Sequence, residues 1–138
     1  MMSPEAIVKK MMDSDAFSQW LNIEVIEVKA GYCQLRMKIT EEMTNGFRIA
    51  HGGISYSLSD SALAFAANAY GKQCVSIETS ISHTRPAHIG DVLTATCTEL
   101  HRGKTIGVYE VKVVNQFGTT IALFKGTVHV SESEWKNV

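Results

Sequence analysis

The sequence predicts an α+β fold in which a strongly curved antiparallel sheet wraps one long helix, and three observations predict it. A stretch from Gly53 to about Tyr70 is rich in Ala and Leu, free of Pro, and apolar over most of its circumference. Four later segments alternate apolar and polar residues with period two, and two more precede the helix. The breaks between these segments are short, so strands consecutive in sequence are expected to pair antiparallel. A sheet curved around the helix then buries both elements most economically.

The elements follow in order. Ser3 before Pro4-Glu5 is an N-cap followed by an N1 proline, which predicts a short helix to about Met12. Asp13-Ser14-Asp15 can restart a helix ending near Leu21. Ile23 to Lys29 and Tyr32 to Ile39 form a predicted hairpin about Ala30-Gly31. From Thr40 to Gly52 no period is kept, and Thr44-Asn45-Gly46 is a turn signal, so a loop is expected. The long helix carries Ile54, Leu58, Ala62, Leu63, Phe65, Ala66 and Ala69, and is closed by Gly71. Strands are then expected about Val75 to Ser82, Leu93 to Thr98, Tyr109 to Val113 and Thr119 to Val130. The polar tail, residues 131–138, is expected to fray. One domain over residues 1–138 is expected, with residues 1–22 as an N-terminal helical segment.

An apolar fraction of 45% and a charged fraction of 20% exclude intrinsic disorder. A net charge of -1 gives no reason to expect nucleic acid. The start lacks the basic and apolar regions of a signal peptide, and no apolar run approaches the roughly 18 residues of a membrane span. A cytoplasmic protein is therefore expected. Cys33, Cys74 and Cys97 are odd in number and widely spaced, which fits buried reduced thiols better than a disulfide framework.

Polar residues cluster where the loop meets the long helix, in Asn45-Gly46-Phe47-Arg48-Ile49-Ala50-His51-Gly52-Gly53. Without a Cβ at Gly52 or Gly53 a ligand carbonyl can approach the backbone, and the N–H groups of the first helical turn point toward it. Such a helix end suits an oxyanion, although turn glycines also serve geometry alone. Asp60 is the only acidic or basic side chain between His51 and Lys72. Burying it costs several kcal/mol, of the order of the penalty for an unpaired charge, unless something pairs with it or uses it. The alternative is a solvent-facing seam of Ser57, Asp60 and Ser61.

Asn45, His51-Gly52-Gly53 and Asp60, followed by Ala67-Asn68, Thr84-Arg85-Pro86 and Gly90-Asp91, resemble the hot-dog thioesterases of the phenylacetic-acid-degradation (PaaI) type. The resemblance runs from about Asn22 to Val130. His-Gly-Gly alone is common; the spacing of Asn45, His51 and Asp60 is far more specific. It implies a hot-dog fold and hydrolysis of acyl-coenzyme A to free acid and CoA. By the same resemblance, Asp60 is general base or nucleophile, the Gly53 amide polarises the thioester carbonyl, and Asn45 and His51 orient the reacting groups. The loop Phe47-Arg48-Ile49-Ala50 is bulkier than is usual in the family. Phenylacetyl-like and hydroxylated aryl-acetyl thioesters lead as substrates, with medium-chain acyl groups as the alternative.

This chemistry needs an oxyanion donor and a base for water, with no metal or organic cofactor, because thiolate leaves readily. Gly52 and Arg85, with Arg102, Gly103 and Lys104 beside His101, are candidates for holding substrate and the phosphates of CoA; the competing reading of the cations is solvated turn charge. No pair of histidines has metal-ligand spacing. Gly53-Ile54-Ser55-Tyr56-Ser57 lacks the final Gly of a nucleophile elbow, and no cysteine neighbours His51. A hot-dog dehydratase or hydratase acting on acyl thioesters, and a non-catalytic acyl-CoA binding protein, are the alternative functions. Seven residues of helix part Gly53 from Asp60, about 10 Å along the axis. A base must stand within about 3 Å of the attacking water, so a two-fold dimer with shared sites is expected. The resemblance implies the same dimer, often doubled into a homotetramer.

Overall fold

The computed structural model describes residues 1–137. The N-terminal helices are α1 (Pro4–Ser14) and α2 (Ala16–Trp20), and the Ser3 hydroxyl caps the first by accepting from Ala6 N–H at 3.1 Å. Strands β1 (Glu24–Lys29) and β2 (Tyr32–Lys38) form the expected hairpin. A loop containing one 3-10 turn (Glu41–Met43) leads to α3 (Gly52–Asn68). Then come β3 (Lys72–His83), β4 (Val92–Arg102), β5 (Ile106–Val114) and β6 (Thr120–Glu134).

All six strands join one antiparallel sheet in the order β1-β2-β4-β5-β6-β3, and α3 packs against every one of them. Leu58, Ala62, Leu63, Phe65 and Ala66 of the helix are buried against Leu35, Met37, Leu93, Ala95, Val111, Val113 and Phe124 of the sheet. This explains why the helix is apolar almost all round. Close approach needs Gly126 on β6, where an added Cβ would lie 2.5 Å from Leu63 Cδ2. The end of α3 is fixed by buried Asn68. Its amide donates to the Ala64 and Cys74 carbonyls, and its carbonyl accepts from Cys74 N–H and the Trp135 indole.

Two expectations are corrected. The strands either side of Arg85 to Asp91 do not pair; β3 lies at the sheet edge against β6, while β4 lies between β2 and β5. The connecting segment is spent crossing the end of the sheet, and the long β6 satisfies β5 on one side and β3 on the other. The crossover is tied down by Ala50 N–H to the Ala87 carbonyl and Ile39 N–H to the Asp91 carbonyl, both 2.8 Å. Asp91 also accepts from His88 N–H and the Gln116 amide. The second correction is the tail, of which residues 131–134 continue β6 and Lys72 registers with Glu134.

All three cysteines are buried and unpaired, and burial pushes the Cys33 thiol up to about 12. Among the described residues no helix is long and apolar enough to cross a membrane.

Candidate active site

The head of α3 is built by its preceding loop. Asn45 accepts through Oδ1 from Phe47 N–H at 2.9 Å and Ile49 N–H at 3.4 Å, while its backbone N–H reaches the Ile49 carbonyl. The loop therefore closes on Asn45, allowing Arg48 a positive φ of 64°. The Asn45 carboxamide nitrogen is left without a partner among the described residues. Phe47 projects into solvent, whereas Ile49 and Ala50 wall a cavity of about 460 Å³.

The helix begins one residue earlier than expected, with Gly52 at N1 and His51 as the cap. That shift changes which amide is available. The Gly53 N–H, expected to polarise the carbonyl, donates at 2.8 Å to His51 Nδ1. The Gly52 N–H has no acceptor among the described residues, and Gly52 lines the 460 Å³ cavity with Asn45, Ser55, His83 and Arg85. The unfilled donor at the positive end of the α3 dipole is therefore that of Gly52. His51, expected to orient reacting groups, spends Nδ1 on the cap, which places its ring proton on Nε2. His51 and Gly53 line a separate cavity with Phe17 and Ser57.

Asp60 lies in a third cavity, of about 240 Å³, with Cys74, Val75 and Ser76 of β3. It is half-buried and has no hydrogen-bond or ion-pair partner among the described residues. Burial, and secondarily the charge of Asp15, raise its pKa above the ordinary carboxylate value. Asp15 caps α2 and accepts from the Ser18 hydroxyl, which meets the Ser61 hydroxyl at 2.8 Å and so holds α2 beside this turn of α3. Gly52 and Asp60 are eight residues apart, about 12 Å along the axis and about 80° around it. One chain does not bring them together.

The candidate phosphate contacts divide. Arg85 is exposed on the wall of the Gly52 cavity. Arg102, Gly103 and Lys104 lie at the other end of α3. Arg102 donates from NH1 to the Ala67 carbonyl and to Tyr109 Oη, both 2.9 Å, and stacks on the Tyr70 ring at 4.3 Å. Glu99 completes this network by accepting from both tyrosines. Gly103 closes the β4–β5 turn through its N–H to the Ile106 carbonyl, and Lys104 is exposed. Arg102 is thus a cation capping the helix C-terminus, not a free turn charge. Arg102→Ala is expected to cost about 1–3 kcal/mol through these lost partners, read as a fall of several degrees in Tm. An unchanged melting curve would contradict that role.

A curved six-stranded antiparallel sheet wrapped around one long helix is the hot-dog fold. The thioesterase superfamily profile matches residues 47–122. The chain is 40% identical over 119 residues to the Escherichia coli acyl-coenzyme A thioesterase PaaI, covering 86% of this chain and 85% of that one. The solved structure of the E. coli PaaI protein from the phenylacetic acid degradation operon superposes with a TM-score of 0.93 at 37% identity, covering 95% of each chain. A hypothetical thioesterase from Streptococcus pneumoniae, solved with coenzyme A, has a TM-score of 0.85 at 26% identity over 91% of this chain and 98% of that one. The chain belongs to the thioesterase superfamily, in its PaaI-type branch, and is a thioester hydrolase.

Proposed function

We propose that the protein hydrolyses acyl-CoA thioesters at sites shared between two subunits, the Gly52 amide from one chain facing Asp60 from the other. The observation that carries this reading is the separation of two incomplete half-sites. A free helix-head amide stands in one cavity, and an unpartnered carboxylate of raised pKa stands in another. In the shared site the thioester carbonyl accepts from Gly52 N–H, and Asp60 takes a proton from water as it attacks. The tetrahedral intermediate then collapses, expelling CoA thiolate and leaving the free acid. Direct attack by the Asp60 carboxylate is the other route, through an anhydride that water cleaves. Asn45 contributes its free carboxamide N–H groups, and Arg85 meets the CoA phosphates.

The edge strand β3 supports the pairing. Its outer side has no hydrogen-bonded neighbour among the described residues, while Val75 and Ile77 are 65% and 58% exposed. A long apolar edge invites a second strand. β3 supplies Val75 and Ser76 to the Asp60 cavity and His83 to the Gly52 cavity. An antiparallel partner β3, related by a two-fold near Thr79, would set each half-site against the other's complement. Doubling to a homotetramer is compatible with this dimer. The acyl group is proposed to be small and aromatic, phenylacetyl-like, ahead of medium-chain. Buried reduced cysteines accord with a cytoplasmic setting.

Thiol release from a panel of acyl-CoA substrates tests the reading; turnover of none would overturn it. The pH profile supplies a second check. A base works only when ionised, so kcat/KM is expected to fall as pH drops through the Asp60 pKa, which burial and Asp15 hold above the ordinary carboxylate value. An acid limb at or below that ordinary value would contradict the assignment.

A further inference from the structure

We propose that His83 is a second donor to the thioester oxygen, its Nε2–H converging with the Gly52 N–H on one point in the cavity. The proposal rests on the acyl-CoA hydrolase reading of that site. His83 is the last residue of β3, registered with Ala122 of β6. Its ring lies against the bare Cα of Gly52: a Cβ built there would fall 3.1 Å from His83 Nε2. An amide nitrogen and the Cβ position of the same residue are about 2.5 Å apart, so the two donors are no farther apart than about 5.6 Å. An oxygen between them can then stand at about 2.9 Å from both.

The other ring nitrogen sets the tautomer. His83 Nδ1 lies 3.3 Å from the hydroxyl of Ser55, a side chain buried in the first turn of α3. That hydroxyl is also 3.3 Å from the Gly52 carbonyl, which already serves as an acceptor in the first helical turn. The hydroxyl has one hydrogen for these two acceptors, and the rotamer that turns it from the Gly52 carbonyl to Nδ1 is the one that leaves the imidazole proton on Nε2. Ser55 is thus a positioning residue, and Gly52 has a second reason to be glycine. A side chain there would displace the ring from the place where the oxyanion collects charge.

The test uses the full chain with phenylacetyl-CoA and thiol release. His83 is exposed, so its substitution leaves the core intact. His83→Leu is expected to lower kcat about 100-fold, the usual cost of one oxyanion donor, with little change in KM. His83→Gln, which returns an N–H donor near the position of Nε2, is expected to recover most of that loss. Ser55→Ala should fall between wild type and His83→Leu. Undiminished kcat in His83→Leu, a loss confined to KM, or equal losses in the Leu and Gln variants would overturn the proposal. If Asp60→Asn abolishes turnover while His83→Leu does not, only the His83 role fails. A wild-type protein that hydrolyses no acyl-CoA overturns both.

Discussion

An Asp60→Asn variant is expected to fold normally and lose about 10²- to 10⁴-fold in kcat, the range for removing a positioned general base. The carboxylate has no structural partner to lose, since it makes no hydrogen bond or ion pair among the described residues. Its burial and its proximity to Asp15 both disfavour its charge, so neutral Asn should leave stability unchanged or raise it slightly. A loss of activity with intact melting is therefore the expected signature, and KM should move little because the amide keeps the shape of the side chain. Near-wild-type kcat would show that the base lies elsewhere. A loss matched by unfolding would show that Asp60 is structural.

The second large effect is expected from the two adjacent glycines, of whose amides Gly53 N–H is spent on His51 Nδ1 and Gly52 N–H has no acceptor among the described residues. Gly52→Pro deletes the unfilled N–H at a position where proline suits a helix start, and His51 before it is extended (φ -60°, ψ 139°), as a residue preceding proline must be. A loss of about 10²- to 10³-fold in kcat is expected. Gly52→Ala retains the N–H and adds only the Cβ contact with His83, so the difference between the two variants isolates the amide. Gly53→Pro removes the hydrogen bond to His51 Nδ1 and is expected to cost about 1 kcal/mol of helix capping, with a smaller effect on kcat. If Gly53→Pro instead abolishes turnover and Gly52→Pro does not, the oxyanion donor is Gly53.

Local pattern made most of the architecture legible. The Ser3-Pro4 cap, the hairpin about Gly31 and the period-two strands rest on neighbours in sequence, and so does the enclosed helix. The sheet order was not legible, because the pairing of β3 with β6 depends on where the chain crosses after Thr84, a long-range choice that no short break encodes. The one-residue shift in the start of α3 has a local cause. His51 caps through an imidazole nitrogen, whereas capping rules look for Ser, Thr, Asp or Asn, so the helix was expected to begin at Gly53. Arg102 was legible only as a candidate phosphate contact or a solvated turn charge, because its partners Ala67, Tyr70 and Tyr109 lie at the end of α3 and on β5, far from it or unmarked in sequence. His83 gave no signal at all, since its neighbours Gly52 and Ser55 lie on the preceding helix.

The shared site is tested most directly by mixing inactive Asp60→Asn protein with inactive Gly52→Pro protein under conditions where subunits exchange. In a hybrid dimer one site combines the intact Asp60 with the intact Gly52, while the other carries both substitutions. Random reassortment makes half of the dimers hybrid, so about a quarter of wild-type activity should return. Exchange demonstrated by mass spectrometry with no recovery of turnover, or a stable monomer that hydrolyses acyl-CoA at the wild-type rate, would contradict the account.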